Sequence, residues 1–213
     1  METIQYILPE IFLSISTLIL LMLGVFINKS YKLVNNSIII LLIFAGLLIF
    51  QQQNESVKVF NQNYVIDNLS VFMKILITIS CIFILIISND YIKNVGLNKF
   101  EYPILILTSV LGMFIMISSY DLIIFYMGLE LQSLSLYVLV AFNRDSTKSS
   151  EAGLKYFILS ALSSGILLYG CSLLYGYTGS TNFEIISNNL NENNIISIFA
   201  IVFIVVGLAF KIS

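Results

Sequence analysis

The sequence contains no histidine and no tryptophan, and charged residues make up only 10% of its 213 positions. The missing histidine removes imidazole as a metal ligand and as a general base. A soluble domain carries roughly 25% charged residues, so most of this chain's surface cannot face water. A formal net charge of −2 is too small to imply a nucleic-acid or acidic partner. Two cysteines are present, Cys81 and Cys171, both inside apolar runs with no second ligand nearby. They read as buried thiols that pack as small apolar side chains rather than as a disulfide or a metal pair. No Walker loop, dinucleotide fingerprint or haem or iron–sulfur ligand set appears, so no cofactor is expected and redox chemistry has no seat here. The start, Met1-Glu2-Thr3-Ile4-Gln5, lacks the basic region and small-residue cleavage site of a signal peptide. The first apolar segment is therefore expected to stay in the mature protein.

What the chain does have is apolar sequence: 58% hydrophobic residues and a mean hydropathy of +0.96. About 20 apolar residues in a helix cross a hydrocarbon core about 30 Å thick. Seven stretches meet or nearly meet that length, at 4–27, 33–50, 69–88, 102–119, 121–142, 149–175 and 195–213. In lipid the backbone must satisfy its own hydrogen bonds, and these runs lack the alternation of a barrel strand, so each is expected to be a helix. The predicted fold is an all-α polytopic transmembrane bundle. Basic residues alternate along it: Lys29 and Lys32, Lys93 and Lys99, and Arg144 and Lys148 occupy the first, third and fifth connections, against Lys58 alone in the second. The positive-inside rule then places those odd-numbered connections in the cytoplasm or matrix and the N-terminus outside. Two connections are long. Residues 51–68 carry a short patch, Val57-Lys58-Val59-Phe60, that suggests a small extended or hairpin element, and 176–194, with Gly179 and several asparagines, reads as flexible.

An ionisable residue within a span is a functional candidate, because holding it in lipid is costly. Glu130 is the tenth residue of its span, about 14 Å from the near end, and its side chain is too short to reach water. Two readings apply: a protonated acid hydrogen-bonded to a neighbouring helix, or a carboxylate whose charge changes as a proton or another cation passes. Tyr126, Ser133 and Tyr137 share its helical face. Lys155 lies about two turns into the sixth span with Glu151 four residues before it, which fits either an interfacial ion pair or a functional charge. Lys74, near the outer end of the third span, is expected to snorkel. Lys211, judged by depth alone, reaches the near surface. Ser160-Ala161-Leu162-Ser163-Ser164-Gly165 in the sixth span allows helices to approach closely and hydroxyls to bond between them.

From Gly128-Leu129-Glu130-Leu131-Gln132-Ser133-Leu134-Ser135-Leu136-Tyr137 through Ala141-Phe142, Arg144, and Ser150-Glu151-Ala152-Gly153-Leu154-Lys155-Tyr156-Phe157 to Ser164-Gly165, the sequence resembles an antiporter-like membrane subunit, subunit N of proton-pumping NADH-quinone oxidoreductase. Gly207-Leu208-Ala209-Phe210-Lys211 extends the match, which is specific from about Tyr120 onward. The mitochondrial counterpart is subunit 2 of respiratory complex I. The resemblance implies a membrane-centred glutamate at Glu130, a lysine on a broken seventh helix at Lys211 and a sixth-helix lysine at Lys155. Together these form part of a hydrated proton path driven by quinone reduction elsewhere in the complex. It further implies other membrane subunits as partners, and a bacterial plasma membrane or mitochondrial inner membrane as the location. It divides the chain into a three-helix segment, 1–101, and the first part of a translocation unit, 102–213. The family continues past this lysine into a break in the seventh helix and further helices. A chain stopping at Ser213 is therefore expected to be the N-terminal half, with a second chain as a possible complement. The alternatives are a cation/proton antiporter subunit using the same glutamate and lysine, and a half-subunit that only scaffolds assembly. Unit charges about 4 Å apart at an effective dielectric of about 20 interact by about 4 kcal/mol, enough to shift a protonation equilibrium roughly a thousandfold.

Overall fold

The computed structural model describes residues 5–27, 30–52, 56–190 and 194–212. Its helices are α1 (Leu8–Phe26), α2 (Tyr31–Gln51), α3 (Asn68–Val95), α4 (Glu101–Ser118), α5 (Leu122–Val140), α6 (Thr147–Thr178), the short α7 (Phe183–Asn189) and α8 (Ile195–Ile212). Strands β1 (Val57–Val59) and β2 (Tyr64–Ile66) form an antiparallel hairpin between α2 and α3, with Lys58 opposite Val65. All helices but α7 are long and apolar enough to cross a membrane, which makes this a multi-pass membrane protein. The seven expected spans are all present. α3 and α6 are longer than expected, at 28 and 32 residues, because their ends are set by caps lying outside the apolar runs. Asp67 and Ser70 form a reciprocal capping box at the start of α3, and Ser146 caps α6. Gly96 and Gly179 end these two helices in the left-handed region, with φ of 76° and 73°. Pro9 and Pro103 fall in first turns, where no helical N–H is lost.

One apolar core gathers Leu13 and Leu20 of α1, Ile38 and Leu42 of α2, Leu85 of α3, Leu107 and Phe114 of α4, and Ile66 of the hairpin. A second joins Leu122 to Leu167, Cys171 and Leu174 of α6, Ile186 of α7 and Ala200 of α8. α4 connects the two halves. A Cβ on its Gly112 would lie 2.5 Å from the backbone nitrogen of Gln132, and one on Gly128 would lie 2.7 Å from that of Met116, so α4 and α5 touch backbone to backbone. Thr108 and Ser135 hydroxyls, 2.8 Å apart, link the same pair. Both cysteines are buried and free, as expected.

The connection expected to be flexible is ordered over its described residues. Asn182 Nδ2 donates to Gln62 O and Asn63 Oδ1 of the hairpin, each at 3.1 Å, and the Thr181 hydroxyl donates to Asp121 Oδ2. Tyr120 N donates to Asn63 O at 2.9 Å, and Lys58 Nζ lies 2.7 Å from Glu184 Oε2. The second, fourth and sixth connections thus interlock on one face of the bundle. Asparagine-rich sequence reads as mobile because it offers donors and acceptors without naming their partners; here the hairpin supplies them.

Candidate functional site

Glu130 sits near the middle of α5. Lys211 Nζ approaches its Oε1 to 2.6 Å from α8, and the Ser164 hydroxyl of α6 donates to the same oxygen at 2.5 Å. The two charged side chains are 20% and 9% exposed, respectively. Three helices therefore converge on one carboxylate, and small residues make this convergence possible. α6 and α8 pack so closely that a Cβ on Gly170 would lie 2.9 Å from Ala200 O, and one on Gly207 would lie 3.0 Å from the backbone nitrogen of Leu167. Ser163, fully buried, donates to Gly207 O at 2.8 Å across that contact. Lys211 follows Gly207 by four residues, on the same face of α8, so the contact that seats Gly207 aims Lys211 at α5. In the small-residue run of α6, the close approach thus falls on Ser163 and Ser164, while a Cβ on Gly165 would meet open space.

A cavity of about 450 Å³ adjoins the pair and is lined by Lys211, Gln132, Ser133, Ser160 and Tyr156 among apolar neighbours. Polar side chains and this volume suit ordered water. Ser133 is buried as its place on the Glu130 face requires, Tyr126 is half-buried, and Tyr137 is buried with its hydroxyl lacking a partner among the described residues. Lys155 is not brought to the pair. It binds Glu151 Oε1 at 2.6 Å with both side chains exposed, at 70% and 65%, and it precedes Ser164 by nine residues, half a helical rotation around α6.

Lys74 does not snorkel. It is 1% exposed and its Nζ lies 2.6 Å from Oε1 of Glu10, a residue of α1 not singled out in the sequence. The Tyr64 hydroxyl of the hairpin donates to the same oxygen at 2.8 Å, with Lys74 Nζ 3.3 Å away. Burial, reinforced by the Glu10 charge, pushes the Tyr64 phenol above its ordinary range. The third span thus turns Lys74 inward, toward α1, the hairpin and the Phe114 ring of α4, where an acid is waiting. A weak signal for this existed in the sequence: an unassigned carboxylate at the start of one span and an unassigned lysine in another.

A polytopic bundle in which a mid-helix glutamate meets a lysine from a later helix is the arrangement that the resemblance to an antiporter-like membrane subunit implies. Residues 119–213 match the family described as NADH:quinone oxidoreductase/Mrp antiporter, TM. The whole chain is 56% identical to NADH-quinone oxidoreductase subunit N of Pelagibacter ubique (strain HTCC1062), covering 45% of that protein. Among solved structures, a chain of respiratory complex I from Thermus thermophilus with bound aureothin superposes with a TM-score of 0.77 at 26% identity, over 95% of this chain and 43% of that one. The fold also matches a chain of the membrane-bound sulfane sulfur reductase, an archaeal respiratory membrane complex, with a TM-score of 0.84 at 19% identity, over 97% of this chain and 44% of that one. Over its whole length the chain is similar to the N-terminal half of NADH-quinone oxidoreductase subunit N proteins. It spans less than half the length of the curated relatives it matches.

Proposed function

We propose that this chain supplies part of the proton-translocation path of a membrane subunit of NADH:quinone oxidoreductase, with Glu130 as the proton-carrying group and Lys211 as the charge that gates it. The observation that carries the reading is the 2.6 Å contact between Lys211 Nζ and Glu130 Oε1, deep in the bundle and beside a cavity into which Gln132, Ser133 and Ser160 also face. With the ammonium in place the carboxylate is stabilised as an anion. When the ammonium swings away, the acid loses roughly 4 kcal/mol of attraction and takes up a proton through the cavity. Ser164 holds Oε1 in place while this happens, so that only the lysine end moves. Quinone reduction elsewhere in the complex is the energy source; no step of it falls on this chain. The alternation of basic connections supports an N-terminus on the outer side. Lys155, exposed on the opposite side of α6, is assigned a role only through whatever surface covers it.

The test replaces Glu130 with Gln in the assembled complex and measures proton pumping alongside quinone reduction. Loss of pumping per electron is expected, and wild-type pumping ends the reading. A cation/proton antiporter is the second reading, favoured by a family description that spans both classes. Sodium-dependent transport in vesicles without quinone distinguishes it.

A further inference from the structure

On the face that carries the first, third and fifth connections, a cavity of about 560 Å³ opens between α4, α5 and α6, with Leu21 of α1 at its side. Its walls include Phe100, Phe142 and Phe157. Phe100 is seated against α1 by Gly24, where a Cβ would fall 2.3 Å from the ring. Three charged residues also line the cavity: Lys99 and Glu101 at the start of α4, and Arg144 just past the end of α5. All three are exposed, and none forms an ion pair with another described residue.

Deeper in the same cavity is Tyr137, one turn before the end of α5. It is 6% exposed and held edge-on by the rings of Tyr156 and Phe157, at 4.8 and 5.8 Å. Its hydroxyl has no hydrogen-bond partner among the described residues. That oxygen is itself fully buried, so it is the ring of Tyr137, not its hydroxyl, that lines the cavity.

We propose that the cavity binds one phospholipid with an ethanolamine headgroup. Its phosphate meets Lys99 and Arg144 and its ammonium meets Glu101, while the glycerol ester region lies against the Tyr137 ring about 5 Å, one helical turn, below the rim. An acyl chain then runs along Leu105, Val138 and the aromatic walls. The charge pattern selects this headgroup. A lipid with a phosphate and no cation satisfies the two basic residues but faces the Glu101 carboxylate without a partner, whereas phosphoethanolamine complements all three charges. Basic pockets between spans are places where lipid headgroups bind, and the acid beside this one adds the selection.

The test uses the full chain, delipidated in detergent and offered equal amounts of phosphatidylethanolamine and phosphatidylglycerol, with retained lipid read by native mass spectrometry. One ethanolamine lipid per chain is expected, preferred about tenfold, which corresponds to about 1.4 kcal/mol. Glu101→Gln removes the preference while keeping binding. Lys99→Gln with Arg144→Gln removes retention of both lipids. Equal retention by wild type and the double charge variant overturns the proposal, as does equal wild-type affinity for phosphatidylglycerol or occupation by a short-chain quinone in place of lipid. Helical content and melting are compared first for each variant. Glu101→Gln, a neutral change at an exposed position, keeps the test decisive if the double variant does not fold.

Discussion

Replacing Lys211 with Met keeps much of the side-chain length and removes only the charge. Glu130, 20% exposed, is then left with the Ser164 hydroxyl as its remaining hydrogen-bonding neighbour at Oε1. Breaking a buried ion pair from one side costs about 3–5 kcal/mol, because a charge stays desolvated and unpaired, while replacing both partners with neutral groups is often close to neutral. Lys211→Met and Glu130→Gln alone should therefore each destabilise the chain by about 3 kcal/mol or more, and the double variant should return to within about 1 kcal/mol of wild type. Unfolding in mixed micelles, followed by helical circular dichroism, measures the cycle. A coupling energy of about 5 kcal/mol or more is expected; additivity within about 0.5 kcal/mol refutes the pairing argument. The same double variant separates stability from transport. It should assemble normally and pump no protons through this subunit, since neither neutral side chain can carry or gate one.

Lys74→Met should destabilise by about 3–5 kcal/mol, leaving Glu10 buried without its cation, and combining it with Glu10→Gln should recover most of that loss in the same unfolding assay. Gly112→Leu drives a side chain into the α5 backbone and should cost at least about 1–3 kcal/mol or prevent folding, read as lost helical content. Neutralising Lys155 should change stability by less than about 1 kcal/mol, since its pair with Glu151 is mostly exposed; a drop in pumping without a drop in stability would reveal a partner surface over α6. The phenol of Tyr64 is held neutral above its ordinary pKa of 10.0. The unfolded chain therefore releases that proton first, and hairpin stability should fall as pH rises past about 10. Tyr64→Phe should flatten that alkaline limb in melting curves taken across pH.

The spans were legible because lipid demands length and apolarity, and both can be counted along a sequence. Glu130 was legible for the same reason: depth alone excludes an escape to water. Lys211 was not, since from depth it could have reached the surface, and only a family resemblance placed it inward. Lys74 was misread because a span apolar on every side does not reveal which face meets protein. Its acid lies 64 residues away on another helix. The hairpin and the sixth connection show the same limit, since the Asn182 that anchors them finds its acceptor 120 residues back. Gly112 and Gly128 are unremarkable in their own helices and become informative only when the two backbones are seen to touch.

Among the described residues the bundle holds two largely buried lysine–glutamate pairs with the same 2.6 Å contact, and their surroundings differ. Lys74 and Glu10 are sealed at 1% and 7% exposure, with a tyrosine hydroxyl completing the contact and the hairpin closed over them. A proton reaching Glu10 would have to cross packed side chains, and displacing Lys74 would strip it of both polar partners at once. That arrangement ties α1, α3 and the hairpin together. Lys211 instead lines a cavity that Gln132, Ser133 and Ser160 share with apolar side chains, and its helix rests on α6 through glycine and serine contacts. Glu130 is fixed by Ser164 while its cation has space to move. On the proposed reading a gate needs one fixed partner, one mobile partner and a water-sized route between them, and of these two pairs Glu130–Lys211 is the one whose surroundings suit it.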